Sequence, residues 1–220
     1  MIEHVLSRPV VAVDTFTDPV EPPVLFREEE ELIARAVNAR RSEFGTVRAC
    51  ARAALAVLGI DAVPILRGPC AEPVWPAGVV GSMTHCEGYR AAAVAREGEL
   101  AAVGIDAEPH RPLPGDELDV IARPEELGPL SGLRVRWPEI CWDRLLFSAK
   151  ESVYKAWFPL TGRWLGFEEA LIDFDPEAGS FRARLLVPGP TVGGRRLPGF
   201  DGHWLARDGL LLTAVAVPSD

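Results

Sequence analysis

Residues 100–108 read LAAVGIDAE, an apolar run that ends in two carboxylates, Asp106 and Glu108, two positions apart. As a strand the stretch alternates faces, so both carboxylates leave the backbone on the same side. Two like charges side by side are unfavourable unless something positive lies between them. Oxygen-only, carboxylate-rich sites favour Mg2+ or Mn2+, and Mg2+ is usually shared with substrate phosphates. A strand end running into a loop, where Asp and Glu are common, is the plainer reading, and the spacing alone leaves both open.

Outward from this stretch the chain repeats an order of elements. Upstream, residues 27–60 (REEEELIARAVNARRSEFGTVRACARAALAVLGI) read as one long helix or a broken pair, ending at Gly59. Pro- and Gly-rich loops follow, and then VVGSMTH and YRAAAVAR, both readable as strands ahead of LAAVGIDAE. Downstream, residues 109–139 are rich in Pro and Gly, with a short helix expected at 116–123. A strong helix is expected at 141–158, and EALIDFD, SFRARLLV, HWLAR and LLLTAVAV read as strands. Helix then strands, twice, predicts an α+β fold of two similar halves, residues 1–108 and 109–220.

Composition narrows the function classes. A chain of 220 residues is long enough for one large domain or two small ones. The net charge of −9 argues against bulk nucleic-acid binding, which basic surface drives. The first residues show no basic region followed by an apolar one, so no signal peptide is expected. No apolar run approaches the ~18 residues of a membrane span. Cys50, Cys70, Cys86 and Cys141 show no CxxC spacing, so neither a zinc site nor a redox motif is indicated and a reduced, cytoplasmic setting is expected.

Two further constellations carry chemistry. Arg41, Arg48 and Arg52, spaced i, i+7, i+11, fall within about 40° of one another on a helix and span roughly 16 Å. Arg40 lies beside them. Such a row suits a ligand with several separated phosphates, because guanidinium groups grip phosphate bidentately and keep their charge. A solvated basic face is the competing reading. The second constellation is FSAKESVYKAW, residues 147–157. Leu145, Leu146, Ala149, Val153, Ala156 and Trp157 form its apolar face, with Arg144, Ser148, Glu151 and Lys155 opposite. Phe147, Tyr154 and Phe158 interleave with the charges, so that face is also covered, and covered charges need partners. An exposed Glu151–Lys155 pair would contribute only ~0.3–0.5 kcal/mol. Carboxylates, lysines and an arginine row together describe a magnesium–polyphosphate site.

VGIDAE, followed some forty residues later by WDRLLFSAKESVYKAW, resembles the signature pair of the 4′-phosphopantetheinyl transferases. RRSEFGTVRACAR, GPCAEPVWPAGVVGSMTHCEGY and RWLGFEEA are similar to the larger, monomeric surfactin-synthetase and enterobactin-component-D type, especially its actinobacterial members. The likeness runs from about residue 27 to 172. It implies two α+β halves related by pseudo-twofold symmetry, with coenzyme A and Mg2+ in the cleft between them. The implied reaction is transfer of the 4′-phosphopantetheine group from coenzyme A to a serine of an apo acyl- or peptidyl-carrier protein, with release of 3′,5′-ADP.

By the same resemblance, Asp106, Glu108 and Glu151 are the expected metal ligands, Mn2+ being an alternative to Mg2+. Lys150 and Lys155 are expected at the pyrophosphate, and either is a candidate to steady the leaving phosphate. Glu151 or a water removes the proton of the carrier serine. Arg40, Arg48, Arg67 and His85 are expected at the coenzyme A phosphates, with Arg41 and Arg52 as helpers, and Ser82, Met83 and Thr84 along the nucleotide pocket. Cys70 stands where relatives often carry Lys or Arg, which leaves one phosphate contact of the family without its cation. For carrier docking, the candidate is PLTGRWLGF, residues 159–167, with Arg163, Trp164 and Leu165; a turn with a core tryptophan is the alternative. Two other functions remain beside transfer. A non-catalytic coenzyme A- or carrier-binding module would lack a metal carboxylate, and a Mg2+-dependent nucleotide pyrophosphate hydrolase would release 3′,5′-ADP from coenzyme A alone.

Overall fold

Both halves follow the expected order of helix and strands, with additions at each end. A computed structural model describes residues 1–220. In chain order the elements are β1 (Val11–Thr15), α1 (Arg27–Leu32), α2 (Asn38–Val57), β2 (Leu66–Arg67), β3 (Pro73–Val74), β4 (Val79–Cys86), β5 (Tyr89–Arg96) and β6 (Leu100–Pro109). There follow α3 (Glu117–Ile121), α4 (Pro124–Arg136), α5 (Trp142–Thr161), β7 (Ala170–Asp175), β8 (Ser180–Leu185), β9 (Thr191–Val192), β10 (Arg195–Arg196), β11 (Gly199–Arg207) and β12 (Leu210–Pro218). Residues 27–60 are therefore a broken pair of helices. The Pro- and Gly-rich stretch after residue 109 holds a 13-residue helix, α4, that its composition hides.

Each half lays one long helix on an antiparallel sheet. In the first, α2 packs Cys50, Ala51, Ala54 and Leu55 against Ala92 and Val94 of β5, the central strand of the order β1-β5-β4. A strand buried on both faces reads as a continuous apolar run, which is why YRAAAVAR lacks alternation. In the second, α5 packs on a five-stranded sheet ordered β6-β12-β11-β8-β7. The strand closing the expected first half, β6, is thus hydrogen-bonded in the second sheet. Residues 100–108, expected in the first half, pair with the strand Leu210–Pro218.

The two sheets are joined by side chains rather than by a ladder. The amides of Ile105 and Ala107 donate to Ser82 Oγ and Thr84 Oγ1 of β4, each at 3.1 Å. These hydroxyls satisfy backbone groups that an edge strand would otherwise leave unpaired. Alternation along β6 then sorts its residues. Val103, Ile105 and Ala107 enter a core shared with β5, while Ala102, Gly104, Asp106 and Glu108 fall on the face toward α5.

Close approach of α5 to that face depends on small residues. Ser148, Ser152 and Ala156, spaced i, i+4, i+8, are fully buried. A Cβ added to Gly104 would lie 2.0 Å from the Ser152 carbonyl oxygen and 2.7 Å from the Ala156 nitrogen. Both are backbone atoms that cannot turn aside. Gly104→Ala should therefore cost about 2–3 kcal/mol, the upper part of the usual overpacking range, read as a lowered urea midpoint. An unchanged midpoint would mean that α5 is free to move off the sheet.

Candidate active site

A cavity of about 560 Å³ opens between the halves, within the range of small-molecule sites. Arg40, Phe44, Arg48, Arg67, Met83 and His85 line it from the first half, and Glu151, Tyr154, Lys155 and Phe158 line it from α5. Ser82 also lines it, and so does Cys70, from the loop between β2 and β3.

The arginine row divides. Arg40, Arg48 and Arg67 face the cavity as expected. Arg41 and Arg52 do not. Arg41 donates to the Ile33 carbonyl at 2.8 Å. Arg52 donates to both carboxylate oxygens of Glu29 at 3.0 Å. Glu29 is fully buried and also accepts the amides of Phe26 and Ile65, so with Arg52, and with Arg48 Nε 3.5 Å from its Oε1, it docks α1 onto α2. Helical spacing places a residue on a face but does not say whether a neighbouring helix covers that face. Arg48 lies between these fates: its Nε donates to the Ile65 carbonyl at 3.0 Å, and its guanidinium stacks 3.3 Å from the centre of the Phe44 ring. Burial pulls its pKa down to about 10, which leaves it charged at neutral pH. Arg40 donates to Nε2 of His85. Burial, and then the Arg40 charge, lower the His85 pKa below its ordinary value, which favours the neutral ring as an acceptor.

The lysines separate just as sharply. Lys155 reaches across to Asp106 Oδ1 at 2.7 Å and the Ile105 carbonyl at 3.1 Å, on the cavity side. Lys150 points the other way. Its three N–H donors meet the carbonyls of Ile121 and Phe167 at 2.9 and 2.8 Å and Glu126 Oε2 at 2.7 Å. An ammonium has three donors, and all three are taken within the fold rather than turned toward the cavity. Successive residues on a helix point about 100° apart, which carries Lys150 off the cavity face that holds Glu151. Glu126, also buried, accepts the amides of Arg123 and Ile172 at 2.8 and 2.7 Å. The pair joins α4, α5, β7 and the loop before it. Thr84, expected along the nucleotide pocket, does not line the cavity. It is buried behind the cavity, where its hydroxyl donates to Asp106 Oδ1 at 3.3 Å.

The three expected metal carboxylates lie near one another but are not gathered as a ligand set, and no group of three acidic, histidine or cysteine side chains stands ready to hold a metal ion. Asp106 is paired with Lys155, and Glu108 with Arg144 at 2.9 Å. Arg144 lies on the polar face of α5. It also donates to the carbonyls of Arg111 and Pro112, both at 3.2 Å. The chemistry of the donors nevertheless suits a hard divalent cation. Asp106 Oδ2 is buried with no hydrogen-bond partner, the kind of orphan that asks for an explanation. Burial, then the Asp106 charge, push Glu108 up to about 7 despite Arg144. Burial raises Glu151 as well, against the pull of Lys155 and with Asp106 adding to it. The Asp106 charge thus raises both Glu108 and Glu151, the mark of acidic oxygen donors short of positive charge.

Two outcomes follow from these placements. Removing one member of a buried ion pair typically costs ~3–5 kcal/mol, so Lys150→Met should unfold at a markedly lower denaturant concentration. Arg40→Ala, at the cavity surface, should stay within about 0.5 kcal/mol of the parent. Equal midpoints for the two variants would return Lys150 to the cavity. The second outcome concerns pH. A carboxyl whose folded pKa is raised contributes stability that is present below its unfolded value, 4.5, and lost as pH rises through about 7. Glu108→Gln should thus be more stable than the parent at about pH 8, and the gain should vanish by about pH 4. A gain independent of pH would remove Glu108 from the coupled group.

Comparison with known proteins identifies the family. Residues 28–95 match the model of the 4′-phosphopantetheinyl transferase N-terminal domain, and residues 102–193 match that of the 4′-phosphopantetheinyl transferase superfamily. The two matches part at the turn between β5 and β6. The chain is 57% identical over 219 residues to the 4′-phosphopantetheinyl transferase Svp of Streptomyces mobaraensis, covering 99% of this chain and 89% of that one. It is 50% identical over 203 residues to PptT of Mycobacterium tuberculosis, covering 90% and 88%. With Npt of Nocardia iowensis it shares 49% identity over 224 residues, covering 98% and 99%. With both halves matched in order and the relatives aligned almost end to end, the chain belongs to the 4′-phosphopantetheinyl transferase superfamily.

Proposed function

We propose that this protein transfers the 4′-phosphopantetheine group of coenzyme A to a serine of an apo acyl- or peptidyl-carrier protein, releasing 3′,5′-ADP. One observation carries the reading: a single cavity has Arg40, Arg48, Arg67 and His85 on one wall and Glu151 and Lys155 on the other. A nucleotide with separated phosphates fits the first wall and a reacting pyrophosphate the second.

Asp106, Glu108 and Glu151 would hold the divalent cation, Mg2+ or Mn2+, with Lys155 and Arg144 giving up their present partners. Bound Mg2+ supplies positive charge that offsets that of the pyrophosphate. The remaining work falls to the chain. Arg40, Arg48 and Arg67 bind the nucleotide phosphates, with His85 beside Arg40. Glu151, raised by burial, or a water beside it accepts the proton of the carrier serine as its Oγ forms the new P–O bond. Lys155 donates a hydrogen bond to the oxygen of 3′,5′-ADP as the old P–O bond breaks. Lys150, with all its donors used, takes no part. Ser82 and Thr84 hold β6 so that Asp106 faces α5.

The carrier is proposed to dock on residues 159–167. Trp164 is 73% exposed there and packs on Tyr154 at 4.9 Å between ring centres, whereas a core tryptophan would be covered. Leu165 is buried beneath it. Both walls of the cavity come from one chain, which suits a monomer. No helix is long and apolar enough to cross a membrane.

Purified protein with coenzyme A, Mg2+ and an apo carrier should yield a carrier heavier by one phosphopantetheine group in a mass spectrum. Chelation, Glu151→Ala or replacement of the carrier serine by alanine should each abolish the shift. Release of 3′,5′-ADP from coenzyme A without a carrier would favour hydrolysis instead. An unmodified carrier across acyl and peptidyl types, despite coenzyme A binding, would favour a non-catalytic module.

A further inference from the structure

Glu43 is an acid on a wall of the cavity that is otherwise suited to anions. It lies between cations at two depths. Beneath it is Arg90, buried, with one guanidinium nitrogen 3.5 Å from Glu43 Oε1. Above it, Arg40 donates to Glu43 Oε2 at 3.4 Å, and His85 Nε2 stands 3.8 Å from the same oxygen. Arg90 is itself fixed: it donates to Asp18 Oδ2 and to the Tyr89 carbonyl, both at 2.9 Å, and to the Cys86 carbonyl. The contacts run from Asp18 to Arg90, to Glu43, and then to Arg40 with His85, and Arg90 is the most buried of them.

Judged by charge alone, a carboxylate here weakens the binding of any anion. Judged by geometry, it ties a long, half-exposed guanidinium to a cation that cannot move. Freezing such a side chain before the ligand arrives removes part of the ordering cost of binding. The two effects have opposite signs. That makes them separable.

Resting on the transfer reading above, we propose that Glu43 is a positioning residue for coenzyme A: it holds Arg40 and His85 toward the phosphates, and Arg90 holds Glu43. Nothing in the sequence pattern marked it, because an acid three positions after an arginine on a helix reads as an ordinary surface pair.

The test measures coenzyme A binding by calorimetry and carrier modification by steady-state kinetics, on the full chain. Glu43→Ala should weaken coenzyme A binding roughly tenfold, the scale of one charge-assisted hydrogen bond, even though the wall becomes more positive. Turnover at saturating coenzyme A should be unchanged, and Glu43→Gln, which keeps an acceptor, should recover part of the loss. In an Arg40→Ala background the same Glu43→Ala change should have little effect or tighten binding, because only the repulsion is left. Tighter or unchanged binding in the parent background would overturn the proposal. So would an equal loss with and without Arg40, or a fall in turnover at saturation. If Glu43→Ala melts early, Glu43→Gln decides by the same criteria, with a smaller loss expected. A parent that binds no coenzyme A would overturn the transfer reading and this inference together, whereas a parent that binds it regardless of Glu43 would overturn this inference alone.

Discussion

The contact between α5 and β6 at Gly104 is the constraint on which the rest of the site depends. A helix normally stands off a sheet by the length of its side chains. Here the Ser152 carbonyl oxygen stands where a Cβ of residue 104 would be, leaving no space for even a methyl group. This close approach brings Glu151 and Lys155 down beside Asp106, and it lets Lys155 reach Asp106 at 2.7 Å. The Ser148–Thr213 hydroxyl pair at 2.9 Å pins the same helix to the next strand, β12. Without these small residues the carboxylates of β6 and α5 would belong to separate surfaces.

Charge is divided between the halves in a way that one fold unit could not achieve. The first half supplies arginines from α2 and β2. The second supplies Glu151 and Lys155, and β6 brings Asp106 and Glu108 to the seam. The seam itself is polar but satisfied. Ser82 and Thr84 accept the amides of β6, and Thr84 also donates to Asp106, so the hydroxyls that join the sheets also orient a carboxylate. A seam closed by an ordinary backbone ladder would have left Asp106 without that partner.

Ions of the same type meet two fates, and burial decides which. Lys150 and Glu126, like Arg52 and Glu29, are ion pairs whose hydrogen-bonding capacity is used within the fold. Isolated charges at those depths would be very costly, so their partners are obligatory. Arg40, Arg67 and Lys155 keep donors at the cavity. Glu43 and Arg144 stand between the groups, partly buried, each holding a charged neighbour in place.

By itself the sequence determined the α+β order, the strands of the second half, the shared face of Asp106 and Glu108, and the family. These are properties of local pattern and of motif. Period-two alternation fixes which residues of a strand share a face, whatever the rest of the chain does. The tertiary structure alone decided which of two adjacent charges on a helix faces the cavity, so that Glu151 lines it and Lys150 does not. It likewise assigned Arg41 and Arg52 to helix docking, Thr84 to the seam and β6 to the second sheet. It also revealed α4, which Pro124, Gly128, Pro129 and Gly132 disguise as loop. The physical reason is the same in each case. Spacing gives the direction of a side chain about its own axis, but the neighbour that satisfies it comes from another element, as Ile33 does for Arg41 and Glu126 for Lys150, and only packing says which charges are covered and which are left for a ligand.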